Sequence, residues 1–267
     1  MPLMRAQLQA GLMEAIDLVS ATLPRRVPDQ AALRQCKIIS HRGENNNRNV
    51  LENTLEAFTI ARQAGVWGIE CDIRWSADLV PVIHHDPHCG RLFGDPVALD
   101  TLTFAQIRER FPLIPSLQEL VAEFGGNTHL MLEIKAEPYR DPERQKAILQ
   151  DILAELEPCT DYHFLLLDPQ LAQYADFQPP QTCFLVAELN VKRLSRICLQ
   201  QNFGGLTGHY LLLNQTLQRQ HMQAGQRIGT GFIHSRNALF RELNRGIEWI
   251  FSNRAVHIQG IVDSCLR

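Results

Sequence analysis

"IECDIRWSADLVPVIHHD" spans Ile69–Asp86, and its reading decides that of the whole chain. Its first half is a strand-like apolar run interrupted by Glu70 and Asp72. A second apolar run, "LVPVIHH" (79–85), follows after only a few residues. Parallel strands need a crossover of about a dozen residues or more, so the two runs form an antiparallel hairpin. A turn centred on Ala77–Asp78 sets Glu70 opposite His85 and Asp72 opposite Ile83. Alternate residues of a strand share a face, and two carboxylates on one face repel unless a proton or cation stands between them. The pair suits a hard divalent cation; its plain alternative is a solvated strand end.

Outward from this stretch, short apolar runs alternate with helical patterns. The runs are "KIIS" (37–40), "GIECDIRW" (68–75), "HLMLEIK" (129–135), "HFLLLD" (163–168), "TCFLVAE" (182–188), "GLTGHYLLLN" (205–214), "RIGTGFIH" (227–234) and "IEWIFS" (247–252). Amphipathic stretches such as 53–65 and 237–246 lie between most of them, the first with Asn53 as N-cap and Gly65 as its stop. Eight strands with intervening helices predict an α/β (β/α)8 TIM barrel over 37–267, carrying the hairpin after strand 2. The absence of a Gly-rich first turn speaks against a doubly wound sheet. Residues 1–36 read as an N-terminal helical extension, with Leu8, Leu12, Ile16 and Val19 at helical spacing and Pro24 and Pro28 beyond them. That helix is a candidate homo-oligomer contact.

Composition narrows the function. The 267 residues are 45% hydrophobic and 21% charged, with a formal net charge of -3, which gives no electrostatic basis for binding nucleic acid. No apolar stretch suits a membrane span, and the N-terminus lacks the pattern of a signal peptide. Seven scattered cysteines without a CxxC pair fit a reducing compartment, so a cytoplasmic location is expected.

Further polar groups fall at strand ends. Glu133 lies in "LMLEIKA" (130–136) with Lys135 two residues on, hence on the same face. In isolation they read equally well as an ion pair; beside Glu70 and Asp72 they read as a third metal ligand and a phosphate-neutralising lysine. His41 and Arg42 end the first strand. An arginine there suits a bidentate grip on phosphate, and two histidines allow one to remove a proton while the other protonates a leaving group.

The chain resembles the glycerophosphodiester phosphodiesterases. "HRG" (41–43), "ENTLEAF" (52–58), "GIECDI" (68–73), "VPVIHHD" (80–86), "IPSLQELV" (114–121) and "LEIK" (132–135) occur in that family's order. The resemblance implies metal-dependent hydrolysis of a small-molecule glycerophosphodiester to an alcohol and glycerol phosphate. His41 and His85 would be the acid–base pair, and Glu70, Asp72 and Glu133 would hold one Mg²⁺ or Ca²⁺. Arg42 and Lys135 would contact the phosphate, and a cyclic phosphate would form by attack of a neighbouring hydroxyl. Asp86 would orient His85, while His84, on the other face, is structural. Residues 87–128 resemble the family's small insertion, overhanging the site like a partial lid. The likeness weakens after 136. "GFIH" (231–234) stands where the family has a tryptophan lining the alcohol pocket, and "FSNR" (251–254) where a strand-end aspartate is usual. The Asn-rich loop 43–54 is longer than the family's and is expected to reshape access beside His41. Two alternatives remain: a lyase of the same barrel type that stops at the cyclic phosphate, and a non-catalytic barrel that binds a phosphorylated ligand.

Overall fold

In the computed structural model, which describes residues 21–267, every one of the eight runs carries a strand. The strands are β1 (Lys37–His41), β2 (Gly68–Trp75), β3 (Pro81–Ile83), β4 (His129–Ile134), β5 (Tyr162–Leu166), β6 (Cys183–Ala187), β7 (Gly205–His209), β8 (Arg227–Gly231) and β9 (Trp249–Ser252). All but β3 pair in parallel, and β1 bonds to both β2 and β9, which closes a (β/α)8 barrel. The helices are α1 (Gln30–Gln35), α2 (Leu55–Gln63), α3 (Gly90–Phe93), α4 (Phe104–Arg110), α5 (Leu117–Phe124), α6 (Pro142–Ile152), α7 (Val191–Gln200), α8 (Gln215–Gln223), α9 (Arg236–Asn244) and α10 (Ala255–Leu266). The helix expected within residues 3–20 lies outside the described residues.

β3 runs antiparallel to β2, as two apolar runs so close in sequence require, but its register is shifted by one from the expected one. Ile73 faces Ile83 and Trp75 faces Pro81. The difference comes from the turn. Leu79 takes a positive φ of 61°, and Ser76 bonds to both Leu79 and Val80, so the reversal centres on Asp78. The chain leaves the sheet after Ile83, so His85 reaches the site from beyond the ladder.

Strand alternation sorts the side chains. On β2 and β4, Ile69, Cys71, Ile73, Leu130, Leu132 and Ile134 point outward into the main core beneath the helices. Ile39, Met131, Leu165, Phe184, Trp249 and Phe251 point inward and fill the barrel. This filling needs glycine opposite the rings: a Cβ on Gly205 would stand 2.5 Å from Phe184, and one on Gly229 would stand 2.8 Å from Phe251. Val82 of β3 shares a small core with Cys89, Leu99, Ile107, Phe111 and Ile114 of the segment after it, whereas Leu117, Leu120 and Phe124 of α5 belong to the main core.

At the opposite end of the barrel from the strand C-termini, His129 Nδ1 lies 2.7 Å from Thr160 O and its Nε2 lies 2.9 Å from His163 Nδ1. Trp67 stacks on His129, and Trp249 meets both imidazoles edge to face. Burial pulls His129 down to about 4, and burial together with His129 pulls His163 down to about 3. A base with a depressed folded-state pKa stabilises the fold above its unfolded value of about 6.5 and loses that contribution as pH falls towards the folded value. Each histidine should therefore remove about 1.4 kcal/mol per pH unit below about 6.5. The thermal midpoint should fall steadily from pH 6.5 to 4.5, and His163→Leu should make that fall distinctly shallower. Parallel midpoint–pH curves for the two proteins would refute this.

Candidate active site

The polar strand ends converge at the C-terminal mouth of the barrel, where β/α barrels place their chemistry. Register accounts for the meeting: His41 pairs with Glu70 across β1–β2, and Asp72 with Glu133 across β2–β4. Glu70, Asp72 and Glu133 are buried, and each offers a carboxylate oxygen within 4.8 Å of the others. Lys135 Nζ lies 2.6 Å from Asp72 Oδ1 and also bonds to Glu133. Arg42 Nε lies 3.2 Å from Asp72 Oδ2, and the Arg42 amide donates to Glu70 Oε2 at 3.1 Å.

These neighbours divide the carboxylates. Burial, Asp72 and Glu133 together push Glu70 well above the usual range, and burial and Asp72 push Glu133 up. Burial also opposes the charge of Asp72, but Lys135, Arg42 and His85 outweigh it and hold that carboxyl low. Burial would lower Lys135, but Asp72 and Glu133 raise it, so it stays an ammonium. Buried Glu70 Oε1 finds no hydrogen-bond partner among the described residues. An orphaned buried oxygen beside two further carboxylates is a donor set that fits a hard divalent cation.

The two histidines are held differently. His41 Nδ1 lies 2.6 Å from Asn253 Oδ1, which leaves Nε2 facing Glu70 Oε2 at 3.7 Å. Burial, and Arg42 beside it, pull His41 down to about 4. His85 Nδ1 lies 2.8 Å from Asp86 Oδ1, and burial lowers its pKa too, against the pull of Asp72. His84 turns away, buried, with its ring against Phe93.

Several residues of the site carried no assigned role in the sequence. Glu52 accepts from Arg42 at 3.0 Å, from Asn47 at 2.6 Å and from Arg91 at 2.6 Å. Arg91 also donates to Asp86 at 2.6 Å. One guanidinium thus joins the carboxylate that holds Arg42 to the one that holds His85. Asn53, expected as the N-cap of α2, instead takes a positive φ of 58° and donates to Asp72 at 2.7 Å, while Thr54 caps the helix. The position of Glu52 and Asn53 in "ENTLEAF" was the available signal; their partners are set by a turn, not by periodicity.

A cavity of about 640 Å³ opens over the cluster, lined by His41, Arg42, Glu70, His85, Glu133 and Lys135 on one side. No residue of 43–54 lines it; Glu52 and Asn53 of that loop bond to Arg42 and Asp72. Its asparagines bond inward: Asn46 Oδ1 accepts from the amides of Arg48, Asn49 and Val50, and Asn47 holds Glu52. No residue of 87–128 lines the cavity either; the insertion reaches the site through Arg91.

The Glycerophosphoryl diester phosphodiesterase family model matches residues 41–189. Glycerophosphodiester phosphodiesterase 1 of Bos taurus is 30% identical over 145 residues, 47% of this chain and 43% of that protein. Its Homo sapiens counterpart is 32% identical over 127 residues, 42% of this chain and 38% of that protein. The match thus spans less than half the length of these curated relatives. The glycerophosphodiester phosphodiesterase of Thermotoga maritima superposes with a TM-score of 0.71 at 22% identity, covering 85% of this chain and 98% of that one. A phosphodiesterase of Oleispira antarctica, in complex with the product sn-glycerol-3-phosphate, gives a TM-score of 0.71 at 21% identity, with 85% and 96% covered. Both structures share the barrel fold.

Proposed function

Because the chain belongs to the glycerophosphoryl diester phosphodiesterase family, we propose that it hydrolyses a glycerophosphodiester to an alcohol and glycerol phosphate. The observation that carries this reading is a cluster of three buried carboxylates, two of them, Glu70 and Glu133, lining one cavity together with Arg42, Lys135 and two differently anchored histidines. Glu70, Asp72 and Glu133 would hold one Mg²⁺ or Ca²⁺, which when bound draws charge from the phosphate oxygens. Arg42 and Lys135 face the same cavity and hold the phosphate.

The anchors of the histidines suggest their roles. With a neutral amide on Nδ1 and its pKa depressed, His41 is uncharged at neutral pH, and Nε2 has a lone pair to accept a proton. It takes the proton of the substrate hydroxyl that attacks phosphorus. Burial lowers His85 while Asp72 and Asp86 oppose that lowering, and in its protonated form His85 donates its Nε2 proton to the departing alkoxide. In the second half the proton transfers reverse: His85 takes a proton from water, the hydroxide opens the cyclic phosphate, and His41 returns its proton to the sugar-alcohol oxygen.

Phosphorus NMR of the products from a panel of glycerophosphodiesters, with Mg²⁺ or Ca²⁺ present, tests the reading. Glycerol phosphate is the expected end product; accumulation of the cyclic phosphate would make the enzyme a lyase. No turnover of any member would remove the substrate assignment. The seven free cysteines favour a reducing compartment, and no described helix is long and apolar enough to cross a membrane.

Arg91 offers a separate check. Arg91→Gln should lower kcat about 10- to 100-fold by loosening Arg42 and His85 together. Its side chain is 42% exposed, so the change in stability should stay within about 1 kcal/mol. Lysine lacks the two-pronged fork and should restore only part of the rate. An unchanged kcat in Arg91→Gln would show that the bridge does not position either group.

A further inference from the structure

The cavity has two chemically unlike halves. One holds the ion-pair cluster and both histidines. The other, at the ends of β5 to β8, presents Leu165, Leu167, Val186, Ala187, Leu212 and Phe232. The volume of about 640 Å³ is in the range of pockets that take a drug-sized ligand, more than a glycerol phosphate fills.

The apolar half continues onto the surface. Seven large hydrophobic side chains are exposed among the described residues; two of them line this half of the cavity, and a third, Leu189, adjoins its lining residue Glu188. Leu167 (40% exposed) follows β5, Leu189 (70%) lies just beyond β6, and Phe232 (46%) follows β8. A lone exposed leucine means little, but a cluster continuous with a cavity marks a binding surface.

Phe232 adds an independent observation. Its φ is +63°, a region that bulky residues avoid. Such strain persists where the surroundings fix it, and it concentrates at ligand-binding sites. The ring sits edge-on to His41 at 6.2 Å and stacks on His209 at 5.8 Å, yet remains nearly half exposed. It therefore stands at the seam between the two halves, with one side on the proton-transfer residue and the other open. Glu188, Thr207, His209 and His234 are the polar side chains in this half, and Glu188 is exposed to solvent.

We propose that the β5–β8 side of the mouth is a subsite for an alkyl or acyl chain carried by the phosphodiester, with Phe232 as its specificity-determining wall. The fate of that ligand rests on the phosphodiesterase reading; its binding does not. Binding of n-alkyl phosphates from ethyl to decyl, each below its critical micelle concentration, should be measured by calorimetry on the full chain with Mg²⁺. The dissociation constant should fall roughly three- to fourfold per methylene until the chain passes the rim. Phe232→Gly should flatten that series. Glycine suits the positive φ, so the variant should keep or raise the thermal midpoint, and the flattening cannot be assigned to misfolding. Affinity that does not rise with chain length overturns the proposal, as does phosphocholine binding more tightly than octyl phosphate. Turnover separates the two readings. Flat affinity with cleavage of glycerophosphocholine removes the subsite and keeps the phosphodiesterase; chain-dependent affinity with no diester cleaved does the reverse. Cleavage of glycerophospho-octanol supports a chain on the leaving alcohol, and cleavage of lysophosphatidylcholine supports one on the glycerol.

Discussion

Replacing His41 or His85 by alanine should lower kcat on a glycerophosphodiester by about 10²–10⁴-fold while KM changes little. Each imidazole lines the cavity with Nδ1 occupied, by Asn253 or by Asp86, so only Nε2 remains for proton transfer. Neither is the main phosphate contact in the proposed arrangement, which places the loss in kcat. The two act in one sequence of transfers, so the double variant should be far less impaired than the product of the single effects. Both rings are partly exposed, and an unchanged thermal midpoint will separate lost chemistry from lost folding. A barrel that only binds a phosphorylated ligand would keep its affinity in both variants and show no rate to lose. Steady-state kinetics on the two variants distinguishes these outcomes.

Glu70→Gln should cost on the order of 10²–10³-fold in kcat and abolish the stabilisation of the protein by Mg²⁺ or Ca²⁺. Glu70 Oε1 is a buried oxygen without a partner among the described residues, beside Asp72 and Glu133. The amide keeps the shape and removes the charge that a cation needs. In the parent protein, an ion at 100 times its dissociation constant should add about 2.7 kcal/mol, which raises the thermal midpoint by several degrees. Without the ion, the variant should be at least as stable as the parent, because a repulsion among buried carboxylates is gone. Equal ion-induced shifts in the two proteins would show that Glu70 is not a ligand, and no shift in the parent would remove the metal site.

The barrel was legible because its signal is periodic. Eight apolar runs spaced by helical stretches leave few alternatives, and Glu70, Asp72, Glu133 and Lys135 could be grouped because alternate strand residues share a face. What the sequence concealed depends on turns. The hairpin register slipped by one because Leu79 adopts a positive φ, which nothing in its residue type announces. Asn53 looked like a helix cap and became a ligand of Asp72 for the same reason. Arg91 lies far from both Glu52 and Arg42 in sequence, and only the fold of the insertion brings it between Glu52 and Asp86. Asn253 lies in the stretch where a strand-end aspartate was expected, and its amide oxygen accepts from His41 Nδ1.

The ionic network occupies one arc of the barrel. It draws on β1, β2, β4 and the segments beside them, with Asn253 as its member from the last strand, whereas the β5–β8 arc contributes apolar lining and no member of the ion-pair cluster. The family match, residues 41–189, takes in the charged residues from His41 to Lys135 and also β5 and β6, and it stops before β7. Such a division separates two kinds of physical constraint. Substitutions in the later loops can redraw which molecules fit without disturbing the charges that act on phosphorus. A lineage could therefore change diet by drift on one side of the ring while the other side stands still.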